Sequence, residues 1–229
     1  MLMNFPRLYP IIDADSLTAR SIDLLEFAEG LHAAGVELLQ YRNKQGSARK
    51  ILEDAERLIA LRGEKNLKLI MNDRADLALL SNFDGVHVGQ EDLTVEDARR
   101  IVGPHAWVGV STHTSEQVAE ADRISCDYIA YGPVFPTASK NNPDPTVGLA
   151  GLRTARALTG KPLVAIGGIT RENCRAVLDA GANSVAIISG LLPPREIPDH
   201  RAAVRRVAEE FLAILHACGA QEKRAPKLF

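Results

Sequence analysis

Short runs of β-branched and aliphatic residues alternate with amphipathic stretches along almost the whole chain. The apolar runs predict strands near residues 8–12, 36–41, 68–71, 85–88, 107–110, 128–131, 162–166 and 184–188. These runs are apolar almost throughout instead of alternating, which suits a parallel sheet buried on both faces. Between them the period changes to that of a helix. Residues 21–34 gather Ile22, Leu24, Leu25, Ala28 and Leu31 on one side and stop at Gly35, because glycine enters the left-handed conformation that ends helices at little cost. Thr94-x-x-Asp97 and Thr114-x-x-Gln117 predict helix N-termini, the second with a full capping box. Further helices are expected over 171–180, stopping at Gly181, and from about 198 to 217.

Eight strands, each followed by a helical stretch, predict one α/β domain: a closed (β/α)8 TIM barrel with right-handed crossovers over residues 1–218. The segment 219–229 is charged, contains Pro226 and is expected to fray. An open doubly wound sheet is the competing architecture, but no strand is followed by G-x-G-x-x-G. Composition adds exclusions. With 27 Lys plus Arg against 29 Asp plus Glu there is no basic bias for nucleic acid, so any anion site must be built locally. No apolar run reaches membrane-spanning length, and residues 1–12 lack the long apolar core of a signal peptide. Cys126, Cys174 and Cys218 are odd in number and widely spaced, as expected for reduced thiols in a cytoplasmic protein.

In this architecture reacting groups sit where strands end. The second strand runs into Gln40-Tyr41-Arg42-Asn43-Lys44, the third into Asn72-Asp73, and the fourth into His87-Val88-Gly89-Gln90-Glu91-Asp92. The fifth ends in Ser111-Thr112-His113, and the sixth leads through Gly132-Pro133 and Thr137 to Ser139 and Lys140. Gly167-Gly168 follows the seventh strand, and Ile188-Ser189-Gly190 ends the eighth. Glycines and small residues in these last two loops let backbone N–H groups approach a phosphate, although a plain tight turn would use the same residues. Asp73 and Asp92 are hard oxygen donors of the kind that bind Mg²⁺ with substrate phosphates, and equally good helix caps. Arg42 can clamp phosphate with two parallel N–H groups, while Lys44 and Lys140 act as point charges. Together these residues point to Mg²⁺ and a pyrophosphate. His87 lies inside a strand, where packing or a structural hydrogen bond is expected. His113 suits either the pocket or a helix start.

Six of these stretches, in this order, resemble the thiamine-phosphate synthase family: Gln-x-Arg-x-Lys at 40–44, Asn-Asp at 72–73, His-x-Gly-Gln-x-Asp at 87–92, Ser-Thr-His-Thr at 111–114, Gly-Pro-Val-Phe-Pro-Thr-x-Ser-Lys at 132–140 and Ile-Gly-Gly-Ile at 166–169. The resemblance covers roughly residues 8–192. It implies a transferase of thiamine biosynthesis that joins a hydroxymethylpyrimidine pyrophosphate to a thiazole phosphate with release of pyrophosphate. It further implies that Gln40, Tyr41, Arg42, Asn43, Lys44 and Asn72 hold the pyrimidine pyrophosphate, with Ser111 and Lys140 on its phosphates. Asp73 and Asp92 would bind Mg²⁺, and Thr137, Ser139, Gly168, Ile188 and Ser189 would receive the thiazole phosphate. Arg42, Lys44, Ser111 and Lys140 are the implied catalytic set. Ser139 departs from the threonine common in the family but keeps the hydroxyl, and the run 141–145 alters the loop. A thiazole tautomerase-like relative and a non-catalytic phosphate-sensing barrel are the alternatives; the first has no use for paired Mg²⁺ aspartates, and turnover of a pyrophosphate substrate separates the second.

Overall fold

The computed structural model describes residues 5–62, 67–137 and 144–222, with side chains described as far as Ala217. Strands β1 (Leu8–Asp13), β2 (Leu38–Arg42), β3 (Lys68–Asn72), β4 (Gly85–Val88), β5 (Trp107–Thr112), β6 (Tyr128–Tyr131), β7 (Leu163–Ile166) and β8 (Ser184–Ile187) pair in parallel, each with the next. β8 returns to β1 through Leu8↔Val185 to Pro10↔Ile187, which closes the barrel. Around it lie helices α1 (Ala14–Thr18), α2 (Leu24–Ala33), α3 (Ala48–Arg62), α4 (Ala75–Leu80), α5 (Val95–Val102), α6 (Ser115–Arg123), α7 (Gly148–Leu158), α8 (Cys174–Asp179) and α9 (His200–Glu222). The eight strands expected from the apolar runs are therefore all present and in sequence order, as a closed and not an open sheet.

Helix ends differ from the periodicity by a few residues, and local caps explain why. α2 begins at Leu24 because the Asp23 carboxylate accepts the Leu25 and Glu26 N–H groups, at 2.8 and 3.1 Å. α9 begins at His200 because Asp199 accepts the Ala202 N–H at 2.9 Å. It continues to Glu222, past the boundary expected at 218. The segment beyond Glu222 lies outside the described residues. The capping box of Thr114 and Gln117 is present at the start of α6. The apolar periodicity misses α1, a five-residue helix capped by Asp13 directly after β1.

Two layers of apolar side chains surround the strands. The larger packs strands against helices and includes Leu39, Tyr41, Val86 and Phe211. The smaller fills the barrel itself with Phe5, Tyr9, Ile11, Leu38, Ile70 and Tyr128. Phe5 stacks on Trp107 with ring centroids 5.5 Å apart and closes the N-terminal end. Gly109 creates the space for Tyr128, since a Cβ there would lie 2.0 Å from the tyrosine ring. Each fully buried large side chain in these layers contributes about 1.5–3 kcal/mol, so the rigid wall that carries the site is strongly supported. Among the described residues no helix is long and apolar enough to cross a membrane.

Candidate active site

Successive residues of a strand point to opposite faces, so each barrel strand sends alternate side chains inward. On β1 these are Tyr9, Ile11 and, at its end, Asp13. On β2 they are Leu38, Gln40 and Arg42. The inward positions turn from apolar to polar toward the strand ends, and a pocket opens there. Gln40, Arg42, Asn72, His87, Ser111 and His113 line one side, and Thr137, Gly167, Gly168, Ile188 and Ser189 line the other.

The same parity turns two of the implied residues away from the pocket. Tyr41 points outward, is 1% exposed, and donates its hydroxyl to Asp54 at 2.7 Å between β2 and α3. Asn43 also turns away, donating to the Tyr41 hydroxyl at 3.0 Å and accepting the Gly46 N–H at 2.7 Å. Neither residue lines the pocket, because an unbroken strand cannot send neighbouring side chains to one face.

Arg42 reaches the pocket with its guanidinium hydrogen-bonded to Asp13, a buried carboxylate that holds the fork in place. Apolar periodicity gives no sign of Asp13, since it follows the last aliphatic residue of β1. Lys44, beyond the strand, is paired with Asp73 at 2.6 Å. Asp73 occupies the left-handed backbone region with φ of 62°, a conformation aspartate tolerates better than most residues. Burial raises the Asp73 carboxyl above the usual carboxylate range, the Lys44 bond opposes this, and a hydrogen bond and like charge from Asp92 add to the rise. Asp92 itself is exposed and accepts the Gly89 N–H at 2.8 Å. The two aspartates expected to share a cation are thus neighbours.

Deeper in the pocket the side chains are joined by hydrogen bonds. His87 contacts the Ser111 hydroxyl at 2.9 Å through Nε2 and the Tyr128 hydroxyl at 3.1 Å through Nδ1. The structural hydrogen bond expected for this histidine is present, and the ring also forms pocket wall. His113 serves both anticipated purposes: its Nδ1 bonds the Gly132 carbonyl at 2.7 Å, its N–H donates to Gln117, and its side chain lines the pocket. Tyr9 and Tyr128, read from sequence only as strand interior, lie beneath this layer.

On the opposite wall Gly167 and Gly168 adopt φ of 98° and 62°. A Cβ on Gly168 would lie 2.5 Å from the Pro136 carbonyl oxygen, and one on Gly167 would lie 2.5 Å from Pro133. Both glycines are required by conformation and by the close approach of the loop after β6, which is tied down by Phe135 N–H donating to Gly167 at 3.0 Å. Ser189 begins a 3-10 turn, Ser189–Leu191, at the neighbouring strand end. Ser139 and Lys140 lie outside the described residues.

Known proteins resemble this chain. A family model described as "Thiamine monophosphate synthase" matches residues 8–191. A thiamine-phosphate synthase of Koribacter versatilis is 56% identical over 94% of this chain and 98% of its own length. That of Chlorobium phaeovibrioides is 39% identical over 85% and 92%. Among solved structures, a thiamine phosphate pyrophosphorylase from Pyrococcus furiosus superposes with a TM-score of 0.78 at 32% identity, covering 93% of this chain and 96% of that one. A tryptophan synthase α-subunit from the same organism, at 16% identity and a TM-score of 0.65, shares the fold alone.

Proposed function

This chain belongs to the thiamine-phosphate synthase family, and on that premise we propose that it joins a hydroxymethylpyrimidine pyrophosphate to a thiazole phosphate, giving thiamine phosphate and inorganic pyrophosphate. The observation that carries the reading is Arg42 and Asn72 in the wall of a hydrogen-bonding pocket, with the Lys44–Asp73 pair and Asp92 at the ends of the same and neighbouring strands. A pyrophosphate sits among the charges, and the pyrimidine ring enters the hydrogen-bonding part of the pocket.

The donor set fits Mg²⁺. Two carboxylates brought together with one of them desolvated are held against their own repulsion, and a dication relieves both penalties. No group of three or more His, Cys, Asp or Glu capable of holding a metal occurs among the described residues. Asp73 and Asp92 would hold the ion together with substrate phosphate oxygens and water, which is how Mg²⁺ is commonly bound. When bound, Mg²⁺ offsets the charge that grows on the departing pyrophosphate.

The reaction is a substitution at the pyrimidine methylene. Its C–O bond to pyrophosphate breaks, the ring amino group stabilises the resulting cation, and the thiazole nitrogen donates the electron pair of the new C–N bond. No strong general base is required. Arg42, fixed by Asp13, and Lys44 with Lys140 stabilise the leaving group, while Gln40, Asn72 and Ser111 orient the pyrimidine. Thr137, Ser139, Gly168, Ile188 and Ser189 receive the thiazole phosphate, with backbone amides supplying the polar contacts. The pocket walls exclude water that would otherwise trap the cation.

The test is pyrophosphate release by the purified protein given both precursors, first with Mg²⁺ and then with EDTA. Mg²⁺-dependent release with thiamine phosphate formed in equal amount is the expected result. Folded protein that releases none under either condition would overturn the reading.

A further inference from the structure

Four hydrogen bonds run without a break beneath the pocket. The Gln40 amide nitrogen donates to the Tyr9 hydroxyl at 3.0 Å, and the Tyr9 and Tyr128 hydroxyls meet at 2.8 Å. The Tyr128 hydroxyl meets His87 Nδ1 at 3.1 Å, and His87 Nε2 meets the Ser111 hydroxyl at 2.9 Å. Gln40, Tyr9, Tyr128 and His87 are all at most 6% exposed and Ser111 is half-buried; Tyr9, Gln40, His87 and Ser111 line the pocket.

A phenol has one proton and two lone pairs, and a neutral imidazole has one N–H. With the Gln40 NH₂ group filling one lone pair of Tyr9, either every link donates toward Ser111, or donation reverses at Tyr9 or Tyr128 and runs back from Ser111. In the first state His87 carries its proton on Nε2 and gives it to the serine oxygen, leaving the serine O–H to donate into the pocket. In the second the serine proton is spent on His87, and the pocket receives only serine lone pairs. Reversal leaves the O–H of one buried tyrosine without an acceptor along the chain, a cost the first state avoids.

We propose that Tyr9, Tyr128 and His87 are positioning residues that transmit this polarity, so that Ser111 is held as a hydrogen-bond donor to bound substrate. The inference rests on the synthase reading for what Ser111 donates to: an acceptor atom of the pyrimidine or its pyrophosphate. Two structural features support it. Gly109 leaves room for the Tyr128 ring, which a side chain there would displace. Burial also raises the Tyr9 and Tyr128 hydroxyls above the ordinary phenol range, so both keep their single proton.

The experiment is ¹⁵N NMR of protein labelled at its six histidines, with His87 assigned by its loss in His87→Asn. Spectra are recorded as pH is raised until the ¹⁵N shifts of the ring no longer change, which identifies the neutral form. The expected result is the Nε2–H tautomer in the wild type and a mixture of both tautomers in Tyr128→Phe, with kcat/KM reduced about tenfold in that variant. Rescue comes from neither Tyr9→Phe nor Tyr128→Phe, since each removes a link. An Nδ1–H tautomer in the wild type, or a Tyr128→Phe tautomer unchanged from it, would overturn the proposal. The tautomer is read without turnover, so a protein that makes no thiamine phosphate yet shows Nε2–H would sink the synthase reading and leave the directed chain standing.

Discussion

The two halves of the pocket rim are made of different materials. At the ends of β2 to β4, Arg42 lines the pocket and is held by Asp13, and the Lys44–Asp73 pair stands next to Asp92. From β6 to β8 its described lining is backbone and small or uncharged residues: Gly167, Gly168, Thr137, Ile188 and Ser189. The difference follows the chemistry proposed for each half. A leaving pyrophosphate gains charge as its bond breaks and is helped by full charges that respond to that gain. A thiazole phosphate keeps its charge throughout, so fixed backbone dipoles suffice to grip it.

The largest effect that would test this division is expected at Asp73. Asp73→Asn tolerates the same left-handed backbone but removes the charge. Turnover, read as Mg²⁺-dependent pyrophosphate release, is expected to fall by about 10²–10³ if the loss of one preorganised electrostatic contact sets the scale. The same variant sharpens the electrostatic picture through pH. The folded carboxyl is raised above its reference of 3.8, chiefly by burial, so the folded protein retains a proton the unfolded chain has released. Its contribution to stability is complete below 3.8 and is lost as pH rises through the raised folded value. Thermal melts of metal-free protein across that window should therefore depend less on pH in Asp73→Asn than in the wild type.

Gly168→Ala should act on the other half. Its φ of 62° and the 2.5 Å approach to the Pro136 carbonyl force the loop to shift, at a cost of about 1–3 kcal/mol. KM for the thiazole phosphate is expected to rise about tenfold, equivalent to about 1.4 kcal/mol, with KM for the pyrimidine pyrophosphate unchanged. Equal changes in both constants would break the division of labour. Tyr41→Phe should do least. Its hydroxyl bonds Asp54 outside the barrel, so about 1 kcal/mol of stability is lost by denaturant unfolding while kcat/KM is retained. A tenfold loss of activity there would bring the outer face of β2 into the site.

Much of this was legible beforehand. The continuous apolar runs reported strands buried on both faces, and all eight lie where those runs are. Glycines after β7 and aspartates after β3 and β4 fell at strand ends, where this fold puts its chemistry. Tyr41 and Asn43 were harder to read, because a motif written as consecutive letters hides the alternation that sends them outward. Asp13 escaped notice for another reason: its partner Arg42 is 29 residues away and becomes a neighbour only when β1 pairs with β2.

Sequence by itself determined the order and approximate position of the strands, the placing of polar residues at their ends, and the likeness to thiamine-phosphate synthases, because these rest on local periodicity and spacing. Only the closed barrel decided which residues of each strand face the pocket, that Asp13 holds Arg42 and Asp73 holds Lys44, and that Gln40 connects through Tyr9, Tyr128 and His87 to Ser111. Those contacts join strands far apart in the chain, and no spacing along one segment encodes a hydrogen bond across the barrel.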